Sequence, residues 1–98
     1  MLLAGDIEAP IEDTLVAQRA PLRADVLKVA HHGSGTSSSQ SFLRAVSPRL
    51  AIVSVGADNR FSHPADEVLA RLTPFAVRRT DIDGAVEALS DGRDVWLR

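Results

Sequence analysis

Three places in the sequence carry side chains suited to metal or acid–base chemistry. Gly5-Asp6 follows a short apolar run, His31-His32 follows a second one, and His63 lies in a loop after a third. Histidine is the commonest metal ligand and titrates closest to neutral pH, and carboxylate with imidazole suits zinc or manganese. The chain has no cysteine, so thiolate ligands and disulfides are excluded. If these side chains converge at one edge of a sheet, they form a candidate metal site.

Several of these residues also have a simpler interpretation. Gly-Asp after a strand is commonly an ordinary turn, and His63-Pro64 is typical of a helix entry. Lys28, the only lysine, is either a site residue or a guard of an edge strand. Arg60 is either a contact for phosphate or a base, or a solvated loop arginine. Ser37, Ser38 and Ser39 are interpreted as loop and helix cap, because no G-x-S-x-G nucleophile motif is present.

Apolar runs and prolines predict the elements that position these residues. Strands are expected over residues 2–4, 24–30 and 50–55, with helices over residues 10–20, around 42–46 and from Pro64 to Leu72. Strands that alternate with helices indicate an α/β fold. After Pro74, the segments FAVRRT, AVEALS and DVWLR are separated by Asp83-Gly84 and Asp91-Gly92. Both dipeptides are hairpin signals, so this tail is predicted to be antiparallel.

The length and composition of the chain limit the classes of protein to which it can belong. Its 98 residues suffice for one small domain, with 45% hydrophobic and 24% charged residues, which is ordinary for a globular protein. The net charge of −2 gives no electrostatic footprint for nucleic acid over the whole chain. The apolar stretch in the opening residues MLLAGD is too short for a signal peptide, and no apolar run approaches membrane-spanning length. Because the chain begins directly on a core-like strand, we expect further sequence upstream of Met1 and therefore an incomplete domain over residues 1–98.

Three ordered motifs, GDI from Gly5, LKVAHHGSGTSSS from Leu27 and VSVGADNRFSHP from Val53, together resemble the C-terminal half of a metallo-β-lactamase-fold hydrolase domain. Within that superfamily the sequence is most similar to the last domain of ComEC-type DNA-internalisation proteins of bacterial competence. RRTDIDGAVEA near the end also resembles that family. The H-x-H-x-D-H signature, which supplies most of the metal ligands in the superfamily, is absent from this sequence.

The resemblance implies an αββα sandwich with a pair of divalent metal ions, zinc or manganese, at the sheet edge. Asp6 would match the bridging aspartate and His32 the last histidine ligand. His31 would stabilise the transition state or donate a proton. His63 belongs to a motif typical of the ComEC type, and the resemblance implies a catalytic role for it. The missing N-terminal half of the domain would supply the remaining ligands.

The implied reaction of the complete domain is metal-assisted hydrolysis of a DNA phosphodiester during DNA uptake. The implied parent is a bacterial inner-membrane channel that carries this domain as a soluble appendage, and the present chain alone is expected to be inactive. Two alternatives stay open: a non-catalytic α/β module that kept the fold as a protein-interaction surface, and a hydrolase of phosphocholine or another small phosphoester. An H-x-H-x-D-H motif encoded upstream of Met1 would favour the nuclease.

Overall fold

Four parallel strands organise the structure, a computed structural model that describes residues 1–98. The strands lie side by side in chain order: β1 Leu2–Leu3, β2 Val26–Lys28, β3 Leu50–Val53 and β4 Ala76–Arg79. Three helices connect them: α1 Ala9–Ala17, α2 Gln40–Val46 and α3 Asp66–Leu72. Parallel neighbours require such crossover connections, so the predicted α/β class is confirmed, with strands and helices shorter than expected.

Proline and serine side chains mark where the helices begin. Pro10 lies in the first turn of α1, where its missing N–H leaves no bond unmade. Ser39 is the N-cap of α2, and its hydroxyl accepts the Phe42 N–H at 3.4 Å, as the sequence predicted. Helix α3 begins at Asp66 rather than at Pro64, since the residue before Asp66 still has an extended backbone.

One face of the sheet is covered by helices and holds the core. Leu27 and Val53 point to this face and are completely buried, as is Phe42 of α2 at 1% exposure. Alternate residues of a strand point to opposite faces, which is why these apolar positions recur at every second residue. The buried core consists of Ala4, Leu22, Leu27, Val29, Ala30, Phe42, Leu43, Val46, Ala51, Val53, Val55, Val68 and Leu72.

The opposite face of the sheet is only partly covered. Leu3, Lys28, Ile52 and Arg78 are register partners across the four strands and therefore share this face. Leu3 is 65% exposed, Lys28 and Ile52 are half-buried, and Arg78 is exposed. Because parallel sheets are normally covered on both faces, this row marks a face that lacks a helical layer.

The segment after Pro74 corrects the sequence-based expectation of an antiparallel tail. Strand β4 pairs in parallel with β3, since α3 returns the chain to the same end of the sheet. Asp83-Gly84 does not form a hairpin, and Thr80–Asp83 is instead a short helix, α4. Asp83 Oδ2 accepts the backbone N–H of Arg79 at 2.8 Å, which closes this turn directly after β4.

The predicted hairpin at Asp91-Gly92 is present. It joins the antiparallel strands β5 Ala88–Ser90 and β6 Val95–Leu97, which form a separate two-stranded sheet. The Asp91 carboxylate accepts the N–H groups of Arg93 and Asp94, which lowers the pKa of Asp91. None of the helices has the length and apolar character required to cross a bilayer.

Candidate active site at the carboxyl edge of the sheet

All the candidate site residues follow strands of the parallel sheet. Asp6 comes after β1, His31 and His32 after β2, and His63 in the long loop after β3. Since parallel strands end at the same edge, the topology brings these segments to one side of the molecule. The backbone N–H of His31 donates to the Gly5 carbonyl at 2.7 Å, which joins the turn of Asp6 to the histidine pair.

The two adjacent histidines have an unusual backbone. His31 and His32 have φ of 52° and 53°, both in the left-handed region. Non-glycine residues are strained there by about 1–3 kcal/mol each, and such residues concentrate at functional sites. Hydrogen bonds fix the conformation: His31 N–H donates to Gly5, and the His31 carbonyl accepts the Ser34 N–H at 2.9 Å. The sequence did not predict this strain, because a histidine pair does not by itself indicate a left-handed backbone.

His32 is oriented as metal-binding histidines are. Its Nδ1 lies 2.7 Å from the Ser54 carbonyl oxygen, which follows β3. A carbonyl only accepts, so Nδ1 carries the hydrogen and Nε2 of the neutral ring keeps a free lone pair. Metal-ligating histidines commonly donate their other ring N–H to a carbonyl in this way. His32 is exposed, so Nε2 is not enclosed by the chain.

The imidazole rings of His31 and His63 lie close to each other. Their ring centroids are 6.0 Å apart with an interplanar angle of 58°. Nδ1 of each ring is buried and makes no hydrogen bond. Glu8 Oε2 lies 4.0 Å from His31 Nδ1, which is beyond hydrogen-bonding distance. Each ring therefore has a buried nitrogen whose hydrogen-bonding capacity the chain does not satisfy, which is unusual in a folded protein.

Asn59 holds the loop that carries His63. Its Nδ2 donates to the His63 carbonyl at 2.7 Å and to the Gly56 carbonyl at 3.1 Å. Its Oδ1 accepts the N–H groups of His63 at 2.8 Å and Phe61 at 3.2 Å. One side-chain amide thus closes the loop over residues 56–63. Sequence reasoning did not assign Asn59 a role, although the D-N-R run in a loop is a turn signal.

The histidine loop and the His63 loop also pack directly on one another. Gly33 has φ of 83°, and a Cβ placed on it would lie 2.5 Å from Pro64 Cβ. The Gly33 carbonyl accepts the Ala65 N–H at 2.9 Å. Glycine is therefore required for both the backbone angle and the close approach. Between the two loops lies an open cavity of about 210 Å³, lined by His32, Val55, Gly56, Asn59, Phe61 and His63.

The serine run is structural, as predicted, but its main partner was missed. Glu12 is completely buried, and its carboxylate accepts the N–H groups of Ser38 at 2.6 Å and Ser39 at 2.8 Å. Arg71 of α3 binds the other side of the run, donating from Nε to the Ser38 carbonyl at 2.8 Å. The position of Glu12 in the first turn of α1 by itself indicates only a favourable charge near the helix N-terminus. The residues that its carboxylate contacts lie 26 and 27 positions away along the chain.

Two basic candidates are also located by the structure. Strand β2 lies between β1 and β3, so the interpretation of Lys28 as a guard of an edge strand is wrong. Lys28 is half-buried at the end of β2, three residues before His31. Arg60 is exposed and forms no salt bridge, and it immediately precedes Phe61, which lines the cavity.

The donor set of the chain fits part of a metal site. Asp6 and His32 would contribute one carboxylate and one imidazole whose Nδ1 is held by the Ser54 carbonyl, and both ligand types suit zinc or manganese. No group of three His, Asp or Glu side chains within residues 1–98 could hold a metal ion. Structural and catalytic zinc sites use three or four protein ligands. Further ligands from outside these residues are therefore needed for a closed site.

Comparison with known proteins identifies homologues of the chain. The chain is 39% identical over 88 residues to ComE operon protein 3 of Bacillus subtilis, and 40% identical over 90 residues to Competence protein ComA of Neisseria gonorrhoeae. It is 41% identical over 88 residues to Recombination protein 2 of Haemophilus influenzae. These alignments cover 88%, 89% and 88% of the chain, respectively.

The chain spans only a small part of these homologues. The aligned segment is 11%, 13% and 11% of their respective lengths. No family profile matches the sequence, and no solved structure matches it. The homology is consistent with the expected resemblance to competence proteins, and the structure has the predicted α/β architecture with its candidate residues at one sheet edge. The metallo-β-lactamase fold itself stays an expectation from the sequence motifs.

Proposed function

We propose that the chain supplies the second half of a metal-dependent phosphodiester hydrolase domain that acts on a DNA strand during uptake. The observation that carries the proposal is the group of His31, His32 and His63 at one sheet edge, with one ring oriented for a metal and two ring nitrogens unpaired. The homologues include one named as a competence protein, which supports the context of DNA uptake. A parent membrane channel and an inner-membrane location are part of this proposal.

The partly covered sheet face supports an incomplete domain. The face that contains Leu3, Lys28, Ile52 and Arg78 carries no helix and is covered only in part, where the β5–β6 hairpin lies beside Val26 and Leu50, although both faces of a parallel sheet are usually covered. In an αββα sandwich, a second sheet packs against such a face. We propose that this sheet, together with the H-x-H-x-D-H ligands, comes from outside residues 1–98 and forms the partner half of the domain.

Each residue of the chain then has a defined task. Asp6 and His32 would hold the metal pair, and the Ser54 carbonyl keeps the His32 ring in the tautomer that presents Nε2. When bound, the metal pair supplies Lewis-acid polarisation of the phosphate and an activated water. His31 contacts the phosphate and protonates the departing oxygen, which requires its imidazolium form. His63 lies beside His31 and contacts the same substrate group.

A non-catalytic interaction module is the second candidate. It is favoured by the lack of any group of three potential ligands within the chain. The two candidates differ in what His32 does, because only the hydrolase requires its free Nε2 to bind metal. The phosphocholine or small-phosphoester alternative shares the metal site and differs in substrate alone.

Metal content separates the roles of the two neighbouring histidines. In the domain reconstituted with a segment that bears H-x-H-x-D-H, His32→Asn should lose metal, whereas His31→Asn should keep metal and lose turnover. Asparagine tolerates the left-handed backbone of both positions, so each change removes the imidazole without adding strain. Asp13→Ala, an exposed helix position, is the control. Equal metal loss or equal metal retention in the two histidine variants would overturn the assignment, and a reconstituted domain that takes up no metal before any substitution would favour the non-catalytic module.

A further inference from the structure

Phe61 is a large aromatic ring left in solvent beside the candidate active site. Its exposure is 74%, although burial of a phenylalanine side chain is ordinarily favourable by about 1.5–3 kcal/mol. The ring lies against His63 with a centroid distance of 5.6 Å and an interplanar angle of 23°, an offset stack. Asn59 accepts the Phe61 N–H at 3.2 Å, so the backbone beneath the ring is fixed.

The cavity beside Phe61 combines exposed carbon surface with a few hydrogen-bonding side chains. The cavity that it borders is also lined by His32, Asn59 and His63, with Val55 as the one aliphatic side chain. Arg60, next to it in sequence, is exposed and has no carboxylate partner. An aromatic face with a free cation and hydrogen-bonding groups beside it matches a nucleotide, which has a flat base and an anionic phosphate.

We propose that Phe61 is a stacking platform for an unpaired base of a single-stranded nucleic acid, positioned on His63 so that the adjoining phosphate approaches His31 and His32. This inference rests on the proposed function, because it identifies what the same site recognises beyond the phosphodiester. Stacking is insensitive to base identity, since every base has an aromatic face. The platform therefore selects unpaired strands over duplex DNA, whose bases are already stacked on one another.

A protein partner would be the other occupant of an exposed phenylalanine. Aromatic residues and arginine are also enriched in protein interfaces, but the imidazole rings of His31, His32 and His63 near Phe61 favour a nucleotide, whose phosphate accepts hydrogen bonds from ring N–H groups. The nearest matched feature elsewhere is Trp96 of β6, which is 47% exposed and lies beside Arg49, Leu50 and Leu97 at the opposite end of the sheet. Trp96 therefore provides a control with an exposed ring that the proposal does not use.

The test measures binding of a fluorescein-labelled oligothymidylate to the 98-residue chain by fluorescence anisotropy, without metal and at low salt. An oligonucleotide of the same length with abasic sites is the matched ligand. Base–aromatic stacking is worth about 1–3 kcal/mol per base, which corresponds to a loss of roughly fivefold or more in affinity for Phe61→Ala. Phe61→Trp should bind at least as tightly as the original chain, and Trp96→Ala should be unchanged.

The expected result is that base removal and Phe61→Ala weaken binding by similar factors and that their effects do not add. Equal affinity for the two oligonucleotides, unchanged binding by Phe61→Ala or no measurable binding by the original chain would each overturn the platform. Loss of association with the H-x-H-x-D-H segment in Phe61→Ala, with DNA binding intact, would identify a protein contact instead. Because no metal is present, failure of hydrolysis in the reconstituted domain would leave this result standing.

Discussion

Glu12 offers the sharpest test of how the serine run is held, because removing its carboxylate leaves backbone donors without partners. Ser38 is 1% exposed, so water cannot replace the bond that its N–H makes to Glu12 Oε2. Ser39 is half-buried, so its N–H is partly accessible. An unsatisfied buried donor costs about 1–3 kcal/mol. We therefore expect Glu12→Ala to lower the free energy of unfolding by about 2–4 kcal/mol in total.

This loss is large for a chain of this size. Domains of about 100 residues unfold with roughly 5–15 kcal/mol, and 1 kcal/mol shifts Tm by about 4–8 °C. Glu12→Gln keeps one acceptor oxygen and should lose less than Glu12→Ala. The competing explanation is the charge of Glu12 in the first turn of α1, which is worth only about 0.3–1 kcal/mol and is screened by salt.

Urea denaturation of the 98-residue chain, followed by circular dichroism, measures the difference. Asp13→Ala is the matched control, since Asp13 is the next residue on the same helix and is exposed. It should change stability by no more than about 0.5 kcal/mol. If Glu12→Ala matched this control, or if most of its effect disappeared in 1 M salt, the buried bonds would not be the cause.

Two further predictions concern residues that follow strands β2 and β4. Gly33→Ala should destabilise the chain by about 1–3 kcal/mol more than Gly92→Ala in the same denaturation assay, because both glycines have a positive φ but only the Cβ at residue 33 would meet another atom, Pro64 Cβ at 2.5 Å. Equal effects would refute the close packing. A hydrogen bond from the Arg79 guanidinium lowers the pKa of Asp81, so the stability that Asp81 contributes is present near pH 7 and is lost as pH falls through that lowered pKa. The difference between the original chain and Asp81→Asn should therefore narrow on acidification in a pH series, and a constant difference would contradict the ion pair.

Local signals in the sequence were sufficient for most of the fold. Prolines, apolar runs and the Ser39 cap are decided by neighbouring residues, so the alternation of strands and helices could be predicted. The direction of β4 could not be predicted. Asp83-Gly84 indicates a hairpin, and therefore an antiparallel partner for β4, only when the residues on both sides of it are free to pair with each other. Asp83 instead accepts the Arg79 N–H, and α3 has already set β4 parallel.

The candidate site was predicted in its location but not in its detail. Placement of His31, His32 and His63 at one edge follows from the parallel order of the strands. The left-handed backbone of the histidine pair, the Ser54 carbonyl on His32 and the Asn59 contacts depend on segments distant in sequence. No pattern in a single chain shows which distant carbonyl or amide will face a given side chain. The metal and catalytic assignments of these residues therefore stay predictions.

The central claim, that residues 1–98 contribute half of a metal-dependent hydrolase site, is tested most directly by reconstitution. Manganese- or zinc-dependent cleavage of single-stranded DNA is measured for the chain alone, for a separately expressed segment bearing H-x-H-x-D-H, and for the mixture. We expect no cleavage by either part, cleavage by the mixture, and its loss when the chain carries His32→Asn. Robust cleavage by the chain alone, or a stable but inactive complex of the two parts, would contradict the claim.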